Sequence, residues 1–388
     1  MLKTGAYVLL SSAIFWLLGE SRVLFGCAET ALLVLFFLRP SRRITASTHD
    51  TTLPPVSIIV PMRNEEANAG PCVDALLALA YPDYEILVGD DSSTDRTREI
   101  LDTHARASGG RLHVVSVPPI VAGWTGKTWA TSELIKGAAH DLILVVDADV
   151  RHAPESLQVS VRRLLETRAD IMIRFPYPVT RSVREWPILF LFFTLRFSAW
   201  FSLDLLKRRE ALAKEEYLLF TRDCYDRVGG YQSFKGEYPL ILAFLAAAFK
   251  KECRVTVLDD DTEQVRATAY QDFCGTFRGI TERINFRHVG FSSFFGIFAV
   301  ILFSIDGVVR VVLGAIASDA YLLFTGMVSY LLFISLFGVY LYLSRAPLAA
   351  APLAPFLGIT FLIASLIAAL RASMGVPLSW KGRTAHVR

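Results

Sequence analysis

The chain has no C-x-x-C pair, and its five cysteines, Cys27, Cys72, Cys224, Cys253 and Cys274, are scattered over 388 residues. That spacing argues against a zinc ribbon or a disulfide framework and fits reduced thiols facing a cytosol. A surplus of either charge is also missing. Forty Lys and Arg against 37 Asp and Glu leave a net +3, and with no basic arm or helix, no nucleic-acid partner is expected. There is no Walker pattern, no internal repeat and no low-complexity run. His140, His152 and His288 show no ligand spacing and read as solvated or structural. What is abundant is apolar surface. Hydrophobic residues make up 53% and the mean hydropathy is +0.41, so part of the chain belongs in lipid, while the 20% of charged residues requires a soluble part as well.

The apolar runs lie at the two ends. Tyr7–Leu18 and Val23–Leu38 flank Gly19, Glu20, Ser21 and Arg22. They read as a hairpin of two short helices, or as one span with an interfacial partner. Glu29 should face protein or the interface. The apolar region continues past Gly19 with no cleavage site, so a cleaved signal is not expected. Arg39, Arg42 and Arg43 place the following domain in the cytoplasm. Val289–Ala317, Tyr321–Leu343 and Leu348–Leu370 have spanning length. Asp306 and Arg310, four apart, are expected to pair inside a bundle. Two rules then conflict: three crossings put the tail outside, whereas Arg371, Lys381, Arg383 and Arg388 favour inside. The expected organisation is an amino-terminal membrane segment over residues 1–43, an α/β domain over 44–288, membrane helices over 289–371 and a basic tail over 372–388. Within the α/β domain, the aromatic stretch 187–203 (PILFLFFTLRFSAWFSL) is expected to lie in the interface and shape an entrance for a lipid, the alternative being a core helix. Pro176-Tyr177-Pro178 before it reads as a rigid acceptor-side loop.

Between the ends, strands alternate with helices. Val56–Val60, Tyr84–Val88, Leu112–Val117 and Leu142–Val146 are apolar strands, with helices through Ala80, over Arg96–Ala107 and over Trp129–Ala139. This order predicts a mostly parallel sheet, whose ligands bind beyond the carboxyl ends of the strands. Three polar clusters sit at those ends: Arg63–Glu66, Asp90–Asp95 and Asp147–Asp149. Asp147 and Asp149, with a small Ala between them, can both reach one hard divalent cation, Mg²⁺ or Mn²⁺, that leaves open positions for substrate phosphates. The bland reading is two solvated Asp in a turn. Asp90 and Asp91 can accept hydrogen bonds from a base or ribose. Asp95 can do the same or cap the helix after it. In Gly123-Trp124-Thr125-Gly126-Lys127, the glycines allow close backbone approach and Lys127 offers a charge to a phosphate, the alternative being a turn with an exposed lysine.

VSIIVPMRNEE, EILVGDDSSTD and LVVDADV together resemble the inverting glycosyltransferase family 2, whose nucleotide-diphospho-sugar domain has the GT-A fold. GWTGKTWA and IRFPYPVTRS are similar to the branch that glycosylates hydrophobic lipids, the 4,4'-diaponeurosporenoate and hopanoid-associated glycosyltransferases. Trp380-Lys381-Gly382-Arg383 resembles the tail of the carotenoid enzymes. The resemblance implies that Pro61, Arg63, Glu65 and Asp91 line the nucleotide pocket. It further implies that Asp147 and Asp149 hold Mg²⁺ or Mn²⁺ against the diphosphate and that Lys127 touches the donor. The family's acidic base usually lies in an E-D or D-D pair after a Gly-rich turn. Here Gly229-Gly230-Tyr231 leads to Lys235-Gly236-Glu237-Tyr238-Pro239, so Glu237 stands alone as the candidate base, or is only a helix N-terminal residue favoured by the dipole. The family's Q-x-x-R-W stretch is also altered. Phe277–His288 carries Arg283 and Arg287 but no Trp; such Arg would meet the donor diphosphate or close over the acceptor, the alternative being a basic interfacial helix, which Arg287 favours while Arg283 stays open between the two.

The resulting expectation is an integral protein of a bacterial cytoplasmic membrane. It moves a sugar from a nucleotide-sugar, UDP-glucose first among candidates, to a carotenoid, hopanoid or related lipid with inversion. The alternatives are a polysaccharide synthase, a polyprenyl-phosphate sugar transferase and, in another class, a membrane scaffold with an inactive transferase domain.

Overall fold

The computed structural model describes residues 53–180, 182–200, 216–237, 240–258, 264–267, 273–283, 291–374, 376, 378–380 and 383–385. The expected amino-terminal membrane segment lies outside them. In chain order the elements are β1 (Val56–Met62), α1 (Glu66–Leu77), β2 (Tyr84–Asp90), α2 (Thr97–Ala107), β3 (Leu112–Ser116), α3 (Gly126–Gly137), β4 (Leu142–Val146), β5 (Val150–His152), α4 (Ser156–Thr167), β6 (Ile171–Arg174) and β7 (Tyr177–Pro178). They continue with α5 (Pro187–Trp200), β8 (Tyr217–Thr221), α6 (Arg222–Val228), α7 (Leu240–Lys250), β9 (Val255–Leu258), β10 (Val265–Ala267) and α8 (Phe273–Arg283). The long helices α9 (Phe291–Ala317), α10 (Ala320–Leu343) and α11 (Ala354–Ser373) follow, and β11 (Leu378–Trp380) and β12 (Arg383–Ala385) form a small antiparallel hairpin in the stretch expected to be only a basic tail.

The main sheet has the order β3-β2-β1-β4-β8-β6-β9. β1 runs parallel to β2 and β4, and β2 to β3; β8 alone is antiparallel to its two neighbours. The strand order reverses between β1 and β4, which is where an open α/β sheet forms its ligand crevice. Every residue of β1 and of β4 is buried, as expected for strands covered on both faces. Gly89 of β2 allows α3 to close on the sheet: a Cβ there would lie 2.8 Å from Leu134 Cδ1. α3 starts three residues before the expected Trp129, because Thr125 caps it by accepting a bond from Thr128 N. Lys127 is therefore fixed on a helix's first turn and not on a loose loop.

Over Ile188–Thr194 the aromatic stretch follows the alternative reading, that of a core helix, and the side chains of 195–203 lie outside the described residues. Ile188, Leu189, Phe190, Leu191, Phe192, Phe193 and Thr194 are all buried, leaving no face for lipid over that run. Phe190 packs on Phe337 of α10 and Phe361 of α11, and Phe193 on Phe333, Phe337 and Tyr340. A helix apolar all round is buried, and this one is buried at the junction of the α/β domain with the long helices. α9 and α10 lie backbone against backbone. A Cβ on Gly307 would come within 2.5 Å of Tyr330 N, and one on Gly326 within 2.7 Å of Val311 N. The Asp306–Arg310 pair forms at 2.7 Å, with Ser329 Oγ of α10 donating to the same carboxylate.

Candidate active site

Because β1, β2 and β4 are parallel, the three polar clusters leave the sheet on one edge. Two of them brace each other. Arg63 Nη1 donates to the carbonyls of Asp91 and Ser92, Asn64 N to Ser93 Oγ, and Thr94 N to Asn64 Oδ1. Asn64 and Ser92 both hold left-handed backbone, with φ of 50° and 54°, a conformation that locks the two loops as a unit at the head of the crevice. Asp95 supplies the cap: its Oδ1 accepts from Thr97 N and Thr97 Oγ1, and its Oδ2 from Glu66 N, so one carboxylate ties the first turns of α1 and α2. Asp90 and Asp91 are buried, and Asp90 Oδ1 accepts from Ser93 N. Pro61 is buried opposite Gly89.

The third cluster meets the glycine–lysine stretch. Lys127 Nζ lies 2.7 Å from Asp147 Oδ1, both side chains being about a quarter exposed. The pair joins the first turn of α3 to the end of β4 across twenty residues of chain. Around it, negative charge is in excess. Burial first, then the charges of Asp147, Glu216 and Glu65, hold the Asp149 carboxyl well above the usual carboxylate range, and only Lys127 opposes them. Glu216 arrives by topology: β8 runs antiparallel to β4 with Tyr217 opposite Val146, which sets the residue before β8 beside Asp147. The Asp147–Asp149 turn is wrapped by Arg151, whose Nη1 donates to the carbonyls of Ala148 and Val150 while Nη2 donates to Asn68 Oδ1. Asn68 in turn donates to Glu65 Oε2, so Glu65 is tied to the same turn.

This donor set suits a hard divalent cation. Asp147 and Asp149 offer two carboxylates in a pocket whose anions outnumber its cations. Among the described residues no group of three or more His, Cys, Asp or Glu could hold a metal alone. The remaining positions would fall to water and donor phosphates, as Mg²⁺ and Mn²⁺ prefer.

The turn over residues 229–237 comes up against the glycine–lysine stretch. Gly123 (φ 88°) lies under the Lys235 side chain, which a Cβ there would meet at 2.9 Å. Trp124 shares a core with Tyr225 and Tyr231. Glu237, two residues beyond Lys235, is exposed, and its N–H donates to the Phe234 carbonyl three residues before α7 begins. Arg283 ends α8; its side chain, like Arg287, lies outside the described residues. Sequence reading missed Glu216, Asn68 and Arg151, and gave Asn64 only as a member of the Arg63–Glu66 cluster. Glu216 had no visible signal, since only strand pairing brings it to the site.

The family model described as Glycosyl transferase family 2 matches residues 57–222. Similar curated proteins include the beta-monoglucosyldiacylglycerol synthase of Synechocystis sp., 35% identical over 116 residues, which are 29% of this chain and 23% of that one. The polyprenol monophosphomannose synthase of Mycolicibacterium smegmatis is 34% identical over 137 residues, covering 34% of this chain and 48% of that one. The 4,4'-diaponeurosporenoate glycosyltransferase of Staphylococcus haemolyticus is 31% identical over 134 residues, 34% of each chain. The chain thus spans less than half the length of these relatives.

Proposed function

We propose, from the match of residues 57–222 to the family model described as Glycosyl transferase family 2, a membrane-associated, metal-dependent transferase that moves a sugar from a nucleotide-diphosphate donor to a lipid. UDP-glucose is the first donor to test, and a carotenoid, hopanoid or other isoprenoid lipid the first acceptor. The observation that carries this reading is the Lys127–Asp147 contact at 2.7 Å. It brings a phosphate-binding cation and the two-carboxylate turn to one point on the edge where the Asp90–Asp91 loop also ends.

In this reading Asp147 and Asp149 hold the cation, which supplies neutralisation of the charge building on the departing diphosphate. Lys127 would donate to a phosphate oxygen, and its position on a capped helix turn means little reorganisation accompanies that bond. Asp90 and Asp91 would accept from the nucleoside, and the braced loops of Asn64 and Ser92 keep that pocket in shape. Glu237 would take the acceptor proton from the solvent-facing side. The lipid-modifying relatives support a lipid acceptor.

A second reading, transfer to a polyprenyl phosphate, is supported by the likeness to the polyprenol monophosphomannose synthase of Mycolicibacterium smegmatis. An acceptor that is already an anion needs a weaker base.

The test is to incubate membranes containing the protein with radiolabelled UDP-glucose and a total lipid extract, with and without EDTA. Label in an isoprenoid lipid, lost with EDTA and restored by Mn²⁺, is expected. Label in a polyprenyl phosphate would select the second reading, and label in long polymer, or transfer indifferent to EDTA, would overturn the proposal.

A further inference from the structure

α9, α10 and the stretch Leu348–Arg371 are each long and apolar enough to cross a membrane, yet their surroundings differ. Beyond Gly307, α9 turns Val308, Val309, Val312, Leu313 and Ile316 outward. Up to Leu331, α10 exposes Tyr321, Phe324, Met327 and Leu331 in the same way. The spanning window of α9, Val300–Ala317, has 18 residues, or about 27 Å, close to the hydrocarbon thickness.

α11 keeps other company. Phe356 at its start stacks on Phe273 of α8, with ring centroids 6.3 Å apart. β11, just after its end, also touches α8. Between these points Gly358 meets Ser304, on the part of α9 nearest the α/β domain, and Phe361 meets Phe190 of α5. Both ends of α11 are thus held at α8, a domain-side helix carrying an exposed Arg278. Its apolar exposure is one side, Phe356, Ile359, Ile363, Leu366, Ile367 and Leu370, while Leu357, Phe361, Ala364 and Ala368 are buried. One face of α11 thus packs on protein and the other is left uncovered, along a helix whose two ends both meet α8. The chain reverses just before it: Arg345 is left-handed (φ 48°) and Ala346 N donates back to the Leu341 carbonyl.

We infer that α11 lies along the bilayer interface beside α8, that α9 and α10 alone of these three helices cross, and that the β11–β12 hairpin stays on the side of the α/β domain. Two crossings remove the conflict between span count and charge, because Arg371 and Arg383 then sit on the same side as the domain. The inference rests on the membrane reading of these helices and is independent of which sugar or lipid is used.

The full-length protein carrying a carboxyl-terminal epitope tag is placed in sealed membrane vesicles and treated with protease from outside. In the vesicle orientation that digests the α/β domain, the tag is expected to be digested as well. A tag that survives while the domain is cut would establish a third crossing and overturn the inference. In a second measurement, the exposed Ala317 at the hairpin tip is changed by Ala317→Cys, and labelling by a membrane-impermeant maleimide is compared with the parent. The added label is expected only from the face opposite the tag; label from the same face would show that α9 and α10 do not cross. Release of the protein by alkaline carbonate would remove the membrane reading itself, separately from either result.

Discussion

Two ion pairs of the same length sit in the two halves of the molecule and do different work. Lys127–Asp147 in the crevice and Arg310–Asp306 in the helical hairpin both measure 2.7 Å, and all four side chains are at most a quarter exposed. The hairpin pair is closed within one turn of one helix and tied to α10 by Ser329, so its charge is balanced locally. In the crevice, one lysine faces Asp147 while Asp149, Glu216 and Glu65 crowd the same space. That excess of acidic groups is what the proposed cation would offset. The difference teaches that the geometry of a pair does not reveal its role; the charge around it does.

The sharpest way to break this comparison is to neutralise one carboxylate in each half. Asp149→Asn should lower sugar transfer about 10³-fold, whereas Asp306→Asn should leave turnover per folded molecule nearly unchanged. Equal losses in the transfer assay would erase the distinction. Next in size is the hairpin's packing. Gly307→Leu forces side chain into the Tyr330 backbone and should destabilise the solubilised protein by about 3 kcal/mol, read as a fall in Tm. Lys127→Met should reduce kcat about 10²-fold, with Lys127→Arg recovering only part, since a guanidinium fork does not replace a compact ammonium.

A basic side chain that no nearby anion holds in its charged form extends the series. Burial first, then the charges of Arg174 and Arg151, push His152 down to about 3 from its ordinary 6.5. The unfolded chain therefore takes up that proton first, so the neutral ring's contribution is complete above pH 6.5 and is lost as pH falls toward 3. At pH 5 the loss should be about 2 kcal/mol, seen as a steeper acid decline of Tm in the parent than in His152→Asn. The smallest effect concerns the hairpin pair. Asp306→Asn and Arg310→Met should each cost about 1 to 2 kcal/mol, and the double variant less than their sum, because the second change relieves the partner left behind.

Much of the donor side was legible in the chain. Val56–Val60 and Leu142–Val146 announce buried strands by composition alone, and parallel pairing then forces Arg63, Asp91 and Asp147 to one edge. Asp306 and Arg310 announce their contact by spacing. What was not legible depends on long-range pairing. Glu216 enters through the antiparallel register of β8, and Asn64 matters because of a left-handed backbone that its neighbours in space impose. α5 misled for a related reason: an aromatic run looks the same whether lipid or protein covers it, and only the positions of Phe333, Phe337 and Phe361 decide.

The burial of α5 also limits how the molecule can move. With Phe190 and Phe193 wedged among α10 and α11, the α/β domain and the long helices share one packed core, and any swing between them would have to break those ring contacts. On the proposed reading, a lipid acceptor would have to reach a crevice held at a fixed distance from those helices.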